Sequence, residues 1–209
     1  MTEFETKDPN DPKKWRRVVP SPIPLQVREL KSIKSLLRKG AVVIACGGGG
    51  VPVIEKAGRS SVIKGVIDKD RASALLARDL LANELVIVTE TDYLYTNWEN
   101  KDRRAPVREI EVDNLTEKLR RGEFNSQGFS GTMQPKLEAA CFFLQAGPGA
   151  VARITHPDNL HRPESGTRIF KEEGLLTKVR MEMERALVVS EAVIPDALIR
   201  KLIFSRMHP

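Results

Sequence analysis

Three groups of residues in this sequence have the types and spacing to handle phosphate or another oxyanion. The first is Gly47-Gly48-Gly49-Gly50. Without Cβ atoms the backbone can approach a ligand closely, and successive N–H groups can form an anion-binding nest. The run is not a Walker A loop, because no Gly-Lys-Ser/Thr follows, and it is not GxGxxG. A flexible turn is the alternative, although four glycines in a turn cost chain entropy without a packing gain. The second group is Val66-Ile67-Asp68-Lys69-Asp70, followed by Ala72-Ser73-Ala74. Acid, lysine and acid at a helix start offer a cation for phosphate oxygens beside carboxylates that can orient it or hold a metal. Asp70 could equally be a simple N-cap. The third is Gly131-Thr132-Met133-Gln134-Pro135-Lys136, with a lysine in the first helical turn. A cation there opposes the helix dipole, so an anionic ligand explains it better than stability does.

The elements that must position these residues alternate in type. From Leu25 the apolar residues Val27, Leu30, Ile33 and Leu37 recur at helical spacing, with Gly40 at the stop. Ala41 to Ala45 is a short continuous apolar run, the pattern of a strand buried on both faces, and it leads directly into the glycines. A helix is predicted from near Asp70 through Leu81, then a buried strand from Leu85 to Thr89. Asp92 to Pro106 reads as a long functional loop or a hairpin, and Asn114 to Arg121 as a helix. Pro135 suits the first position of a helix closed by Gly147. Ala150 to Thr155 and Thr167 to Phe170 read as further strands. Strands alternating with helices predict an α/β fold with a mostly parallel sheet and helices on both faces. Ligands in such sheets gather at the carboxyl ends of the strands. The glycine run, the segment after Thr89 and the loop after Thr155 would emerge there.

Composition narrows the class. With 209 residues, 41% of them apolar and 30% charged, the chain can bury a core and is not disordered in type. Cys46 and Cys141 sit in apolar contexts and read as reduced thiols. No apolar run approaches the roughly 20 residues of a membrane helix. His156, His161 and His208 lack metal-ligand spacing, so no metal site is assigned to the protein itself. Of the net charge of +6, residues 13–39 contribute +8 through nine basic residues against Glu29. That stretch reads as the solvated face of one helix and its leader; without interleaved aromatics on the helix, nucleic-acid binding is the weaker reading.

Taken in order, the segments resemble carbamate kinases of the amino-acid-kinase superfamily. The resemblance is carried by Arg16-Arg17-Val18-Val19-Pro20-Ser21-Pro22, by Ala45-Cys46 and the glycines through Val53, by Val66 to Ser73, by Gly131 to Ala140, and by Gly166-Thr167-Arg168-Ile169. It spans about residues 15–170. It implies a three-layer α/β/α sandwich and phosphoryl transfer between ATP and carbamate, running as carbamoyl phosphate plus ADP to ATP, with Mg²⁺. It also implies a cytoplasmic homodimer acting in arginine metabolism. By similarity, Lys136 would stabilise the transferred phosphoryl group, Lys69 would contact phosphate oxygens, and Asp70 would hold the lysines. Gly47, Gly48, Gly49 and Gly50 would lie against the acceptor and the transferring phosphate. Thr89, Asp92, Tyr93, Tyr95 and Met133 would serve the nucleotide, with Tyr93 or Tyr95 near the adenine. Gln134 stands where the resemblance leads one to expect a small or apolar residue.

The sequence also departs from the pattern. Family members begin with a strand and a Gly-Gly-Asn turn followed by a long N-terminal portion, and this chain contains no Gly-Gly-Asn. The sheet is therefore expected to be incomplete at its N-terminal side, with an open strand edge that favours association. The expected organisation is a leader or linker over 1–24, the kinase-like domain over 25–170, and a C-terminal extension over 171–209, helical to about Leu187. The alternative function is a nucleotide-binding remnant or regulatory module without catalysis.

Overall fold

The structure is a computed structural model, and it describes residues 3–5, 15–17, 19–98, 100–124, 133–145 and 149–172. The expectations for the tail helix, for Gly131 and Thr132, for the closing Gly147 and for His208 lie outside the described residues. The chain divides between Lys171 and Glu172, and every element below belongs to the first part.

Two short antiparallel strands, β1 (Glu3–Glu5) and β2 (Trp15–Arg17), pair within the segment read as a leader. Helix α1 (Leu30–Arg38) is shorter than the apolar spacing from Leu25 predicts. It buries Ile33 and ends before Gly40, whose φ of +79° suits glycine. The expected strand at Ala41–Ala45 does not form. Among the described residues it pairs with nothing, and Val42 and Ile44 are 95% and 97% exposed. A continuous apolar run becomes a buried strand only where neighbouring strands cover it, and none among the described residues does so.

A fully exposed hairpin follows, β3 (Val53–Lys56) and β4 (Arg59–Val62). Its turn residues Ala57 and Gly58 both have positive φ, as a two-residue turn of the right twist requires. Helix α2 (Lys69–Leu80) is capped by Asp68, whose Oδ1 accepts from the N–H groups of Asp70 and Arg71 at 2.9 and 3.0 Å. Asp70 is thus a first-turn residue and not the cap. Strand β5 (Glu84–Val88) buries Leu85 and Ile87 while its ends are exposed. It is therefore an alternating edge strand, where its apolar run predicted full burial.

The segment after Thr89 forms the hairpin β6 (Leu94–Thr96) and β7 (Ala105–Val107). Strand β8 (Glu109–Glu111) leads into α3 (Val112–Arg120), capped by the Glu111 carboxylate. Helix α4 (Met133–Leu144) starts two residues before Pro135. Proline is tolerated there because the first-turn N–H groups have no intrahelical acceptor. Strands β9 (Val151–Thr155) and β10 (Thr167–Phe170) lie where the sequence predicts them.

The main sheet has the order β5-β9-β10-β8. Pairings β5/β9 and β10/β8 are parallel and β9/β10 is antiparallel, giving a mixed, mostly parallel sheet. Helix α4 supplies the centre of the core: Leu137, Ala140, Phe143 and Leu144 pack with Leu85, Ile87, Ala152, Ile154 and Ile169. Buried apolar area on both helix and sheet is the main stabilising term. The Thr167 hydroxyl, fully buried, donates to the Val107 carbonyl at 2.6 Å and accepts from the Leu94 N–H at 2.7 Å, tying the β6/β7 hairpin to the sheet. No helix among the described residues is long and apolar enough to cross a membrane.

Candidate active site

The glycine turn and the start of α2 meet at a single point. Gly49 has φ of +121°, and a Cβ on it would lie 1.9 Å from the Ile67 carbonyl oxygen. Only glycine permits this approach, which seats the turn against the residue preceding the Asp68 cap. The Gly49 N–H donates to the Cys46 carbonyl at 2.6 Å, closing the turn. Gly47, Gly48 and Gly50 border open space instead, with nothing within 4 Å of an added Cβ.

Helices α2 and α4 pack together and bring Asp70 under Lys136. The Lys136 Nζ donates to Asp70 Oδ2 at 2.8 Å, with the two side chains only 9% and 14% exposed. Lys69, 55% exposed, donates to both oxygens of the same carboxylate at 3.1 Å. Burial pulls the Lys69 pKa down, but the hydrogen bond and charge of Asp70 outweigh it, so its net shift is upward. Two ammonium groups thus converge on one carboxylate, and the Asp68 carboxylate also acts on Lys69. Removing Asp70 would strand a buried cation, a loss of about 3–5 kcal/mol for a pair of this burial. A second link runs parallel to the first: Arg71 Nη2 bonds Glu138 Oε2 at 3.2 Å, and Gln134 Nε2 donates to Glu138 Oε1 at 3.0 Å. Gln134 thus has a polar task on the α4 surface.

The remaining predicted residues lie after β5 and at the start of α4. At the carboxyl ends of the parallel strands β5 and β9, the Thr89 N–H donates to the Thr155 carbonyl at 3.0 Å. Asp92 Oδ1 accepts from the Tyr95 hydroxyl at 2.7 Å, and burial followed by Asp92 pushes that phenol up to about 12. Tyr93 and Tyr95 meet edge to face, with ring centres 6.4 Å apart. Sequence reasoning missed three members of this cluster. Trp98 lies 5.8 Å from Tyr95, the Arg104 guanidinium sits 3.9 Å over the Trp98 ring, and Arg108 sits 5.6 Å from the Tyr93 ring centre. Interleaving of aromatics and arginines along residues 93–108 was the available signal. Met133 is 3% exposed and lies in the core at the start of α4.

Among the described residues no group of three or more His, Cys, Asp or Glu is placed to hold a metal ion. The described donor set therefore does not fit a magnesium ion held by these residues alone.

The mixed α/β sheet is thus accompanied by a glycine turn docked on a helix start and by two lysines sharing a carboxylate. The Amino acid kinase family profile matches residues 9–154, and the chain belongs to that family. Carbamate kinase of Staphylococcus haemolyticus is 42% identical over 146 residues, which are 70% of this chain and 46% of that protein. Carbamate kinase of Rhizobium meliloti is 46% identical over 147 residues, 69% of this chain and 42% of that protein. Among solved structures, carbamate kinase from Giardia lamblia bound to AMP-PNP aligns with a TM-score of 0.69 at 33% identity, covering 82% of this chain and 52% of that one. The chain thus spans about half the length of the relatives it matches.

Proposed function

We propose that this chain carries the phosphoryl-handling part of a carbamate-kinase-type phosphotransferase, moving a phosphoryl group between ATP and carbamate, chiefly from carbamoyl phosphate to ADP. The observation that carries this is the Lys136–Asp70–Lys69 group beside the Gly47–Gly50 turn. Phosphoryl transfer needs little covalent help; it needs donor and acceptor in line and charge neutralised on the transferring oxygens. Lys136, fixed from below by Asp70, would face those oxygens, and the more exposed Lys69 would reach them from the solvent side. Because Asp70 restrains both ammonium groups before substrate arrives, little reorganisation is left for the reaction itself. The open backbone at Gly47 and Gly48 would admit the small acceptor, and the Asp92, Tyr93 and Tyr95 cluster with Thr89 would receive the nucleotide. Met133 would support that side from the core. Relatives named carbamate kinase, one of them solved with AMP-PNP, support the assignment of nucleotide and acceptor. Magnesium accompanying the nucleotide, a cytoplasmic setting, a homodimer and a place in arginine breakdown belong to the same proposal.

Titration with ATP tests the nucleotide part. The proposal expects saturable binding by the chain, weakened when Tyr95 is replaced by alanine. Absence of saturable binding would contradict both the kinase and the non-catalytic nucleotide-binding module.

A further inference from the structure

Helix α4 opens on two competing local preferences. Gln134 is helical, yet it precedes Pro135, whose ring disfavours the helical region for the residue before it. Left to that preference, Gln134 would be extended and the helix would begin at Pro135. Lys136 would then be the second residue of a shortened helix instead of the fourth of the observed one.

The Gln134 side chain supplies the counterweight. Its Nε2 donates to Glu138 Oε1 at 3.0 Å, four residues along, a spacing that helical backbone brings together. Glu138 is in turn fixed from the facing helix, because Arg71 Nη2 donates to its other oxygen, Oε2, at 3.2 Å. Arg71 directly follows Asp70, so α2 grips α4 twice: Asp70 holds Lys136, and Arg71 holds Glu138. We infer that Gln134 is a positioning residue. Held by Glu138 and Arg71, it keeps the first turn of α4 helical through Pro135 and so fixes where the Lys136 ammonium group lies. What Lys136 does there rests on the proposed reaction; where it lies does not. The Arg71 and Glu138 side chains are 33% and 39% exposed, and pairs this exposed contribute little to global stability. The effect of the brace is therefore local.

The test is amide hydrogen exchange of the full chain, read by nuclear magnetic resonance together with the lysine ammonium signals, in Gln134→Ala, Pro135→Ala and the double variant. In an α-helix the Leu137 and Glu138 N–H groups bond back to residues 133 and 134. These two amides should exchange about tenfold faster in Gln134→Ala, while those of Phe143 and Leu144 keep their wild-type rates. The thermal midpoint should move by less than about 2 °C. The Lys136 ammonium signal, assigned by its absence from Lys136→Arg, should broaden in Gln134→Ala as its contact with Asp70 becomes intermittent. Without the proline the competing preference is gone, so adding Gln134→Ala to Pro135→Ala should change the two rates by less than about twofold. Arg71→Ala, which frees Glu138 but keeps Gln134, should accelerate the same two amides by about threefold. Unchanged exchange in Gln134→Ala, an equal acceleration when Pro135 is already replaced, or faster amides with an unaltered Lys136 signal would each overturn the inference. Loss of protection along the whole of α4 would also overturn it, by making Gln134 a determinant of global stability. No readout involves nucleotide or phosphate, so a chain that behaves as expected here and makes no ATP would count against the reaction alone.

Discussion

Two lysines that differ sixfold in exposure share one carboxylate. Lys136 is held on the α2–α4 interface, where its buried ammonium group pairs with Asp70 at 2.8 Å. Lys69 rests on the same carboxylate from solvent, where pairing energies are small and the side chain is free to reach a ligand. Tyr95 is the second residue whose chemistry the fold alters. Burial and the Asp92 carboxylate favour its neutral form, raising the phenol from 10.0 to about 12. For a group raised in the fold, the contribution to stability is whole below the unfolded pKa and is lost as pH rises through the folded one. The Tyr95–Asp92 contact should therefore be fully present below about pH 10 and fade between about pH 10 and 12. Ultraviolet titration of tyrosinate checks this, because the chain has only two tyrosines. Tyr95→Phe should remove the late-titrating component, and its persistence would assign that component to Tyr93.

At the scale of elements, the junction between the glycine turn and α2 is where the site is built. Gly49→Ala would drive a methyl group into the Ile67 carbonyl in a backbone region that disfavours side chains. It should lower the unfolding midpoint and displace the Asp68 cap, itself worth about 1 kcal/mol. Gly48→Ala meets nothing within 4 Å, so it should leave the thermal midpoint unchanged while weakening carbamoyl phosphate binding. Equal stability losses in both variants would mean that the run serves the turn alone.

Such elements were unevenly legible in the sequence. Helix α2 could be read because Asp68, the first-turn acid and the Ala72, Ala74 and Leu75 positions agree on one start and one face. Strands β9 and β10 could be read because their apolar residues are buried by this chain's own helix α4. The run Ala41–Ala45 misled for the opposite reason: its residue types presuppose covering strands that no described residue supplies. The β3/β4 hairpin was invisible because it buries nothing and turns on Ala-Gly, a weaker signal than Asn-Gly. In the site, single glycines and lysines could be nominated from their spacing. The sharing of Asp70 by two lysines depends on how α2 and α4 pack, which local spacing does not encode, and the resemblance had already suggested it. Trp98, Arg104 and Arg108 needed the fold of the hairpin before they became a cluster.

At the scale of the molecule, the net charge of +6 is a +8 segment at residues 13–39 on a slightly acidic remainder. That segment runs up to Ala41–Ala45, where Val42 and Ile44 are almost wholly exposed. The most direct test is ATP formation from ADP and carbamoyl phosphate by this chain fused to the part of the Staphylococcus haemolyticus carbamate kinase outside the match, with and without Lys136→Ala. We predict turnover by the unsubstituted fusion and a loss of roughly 10²–10³-fold in kcat in the variant, the scale of one transition-state donor, with AMP-PNP binding retained. Equal turnover in the two proteins, or a folded unsubstituted fusion that makes no ATP, would contradict the proposal.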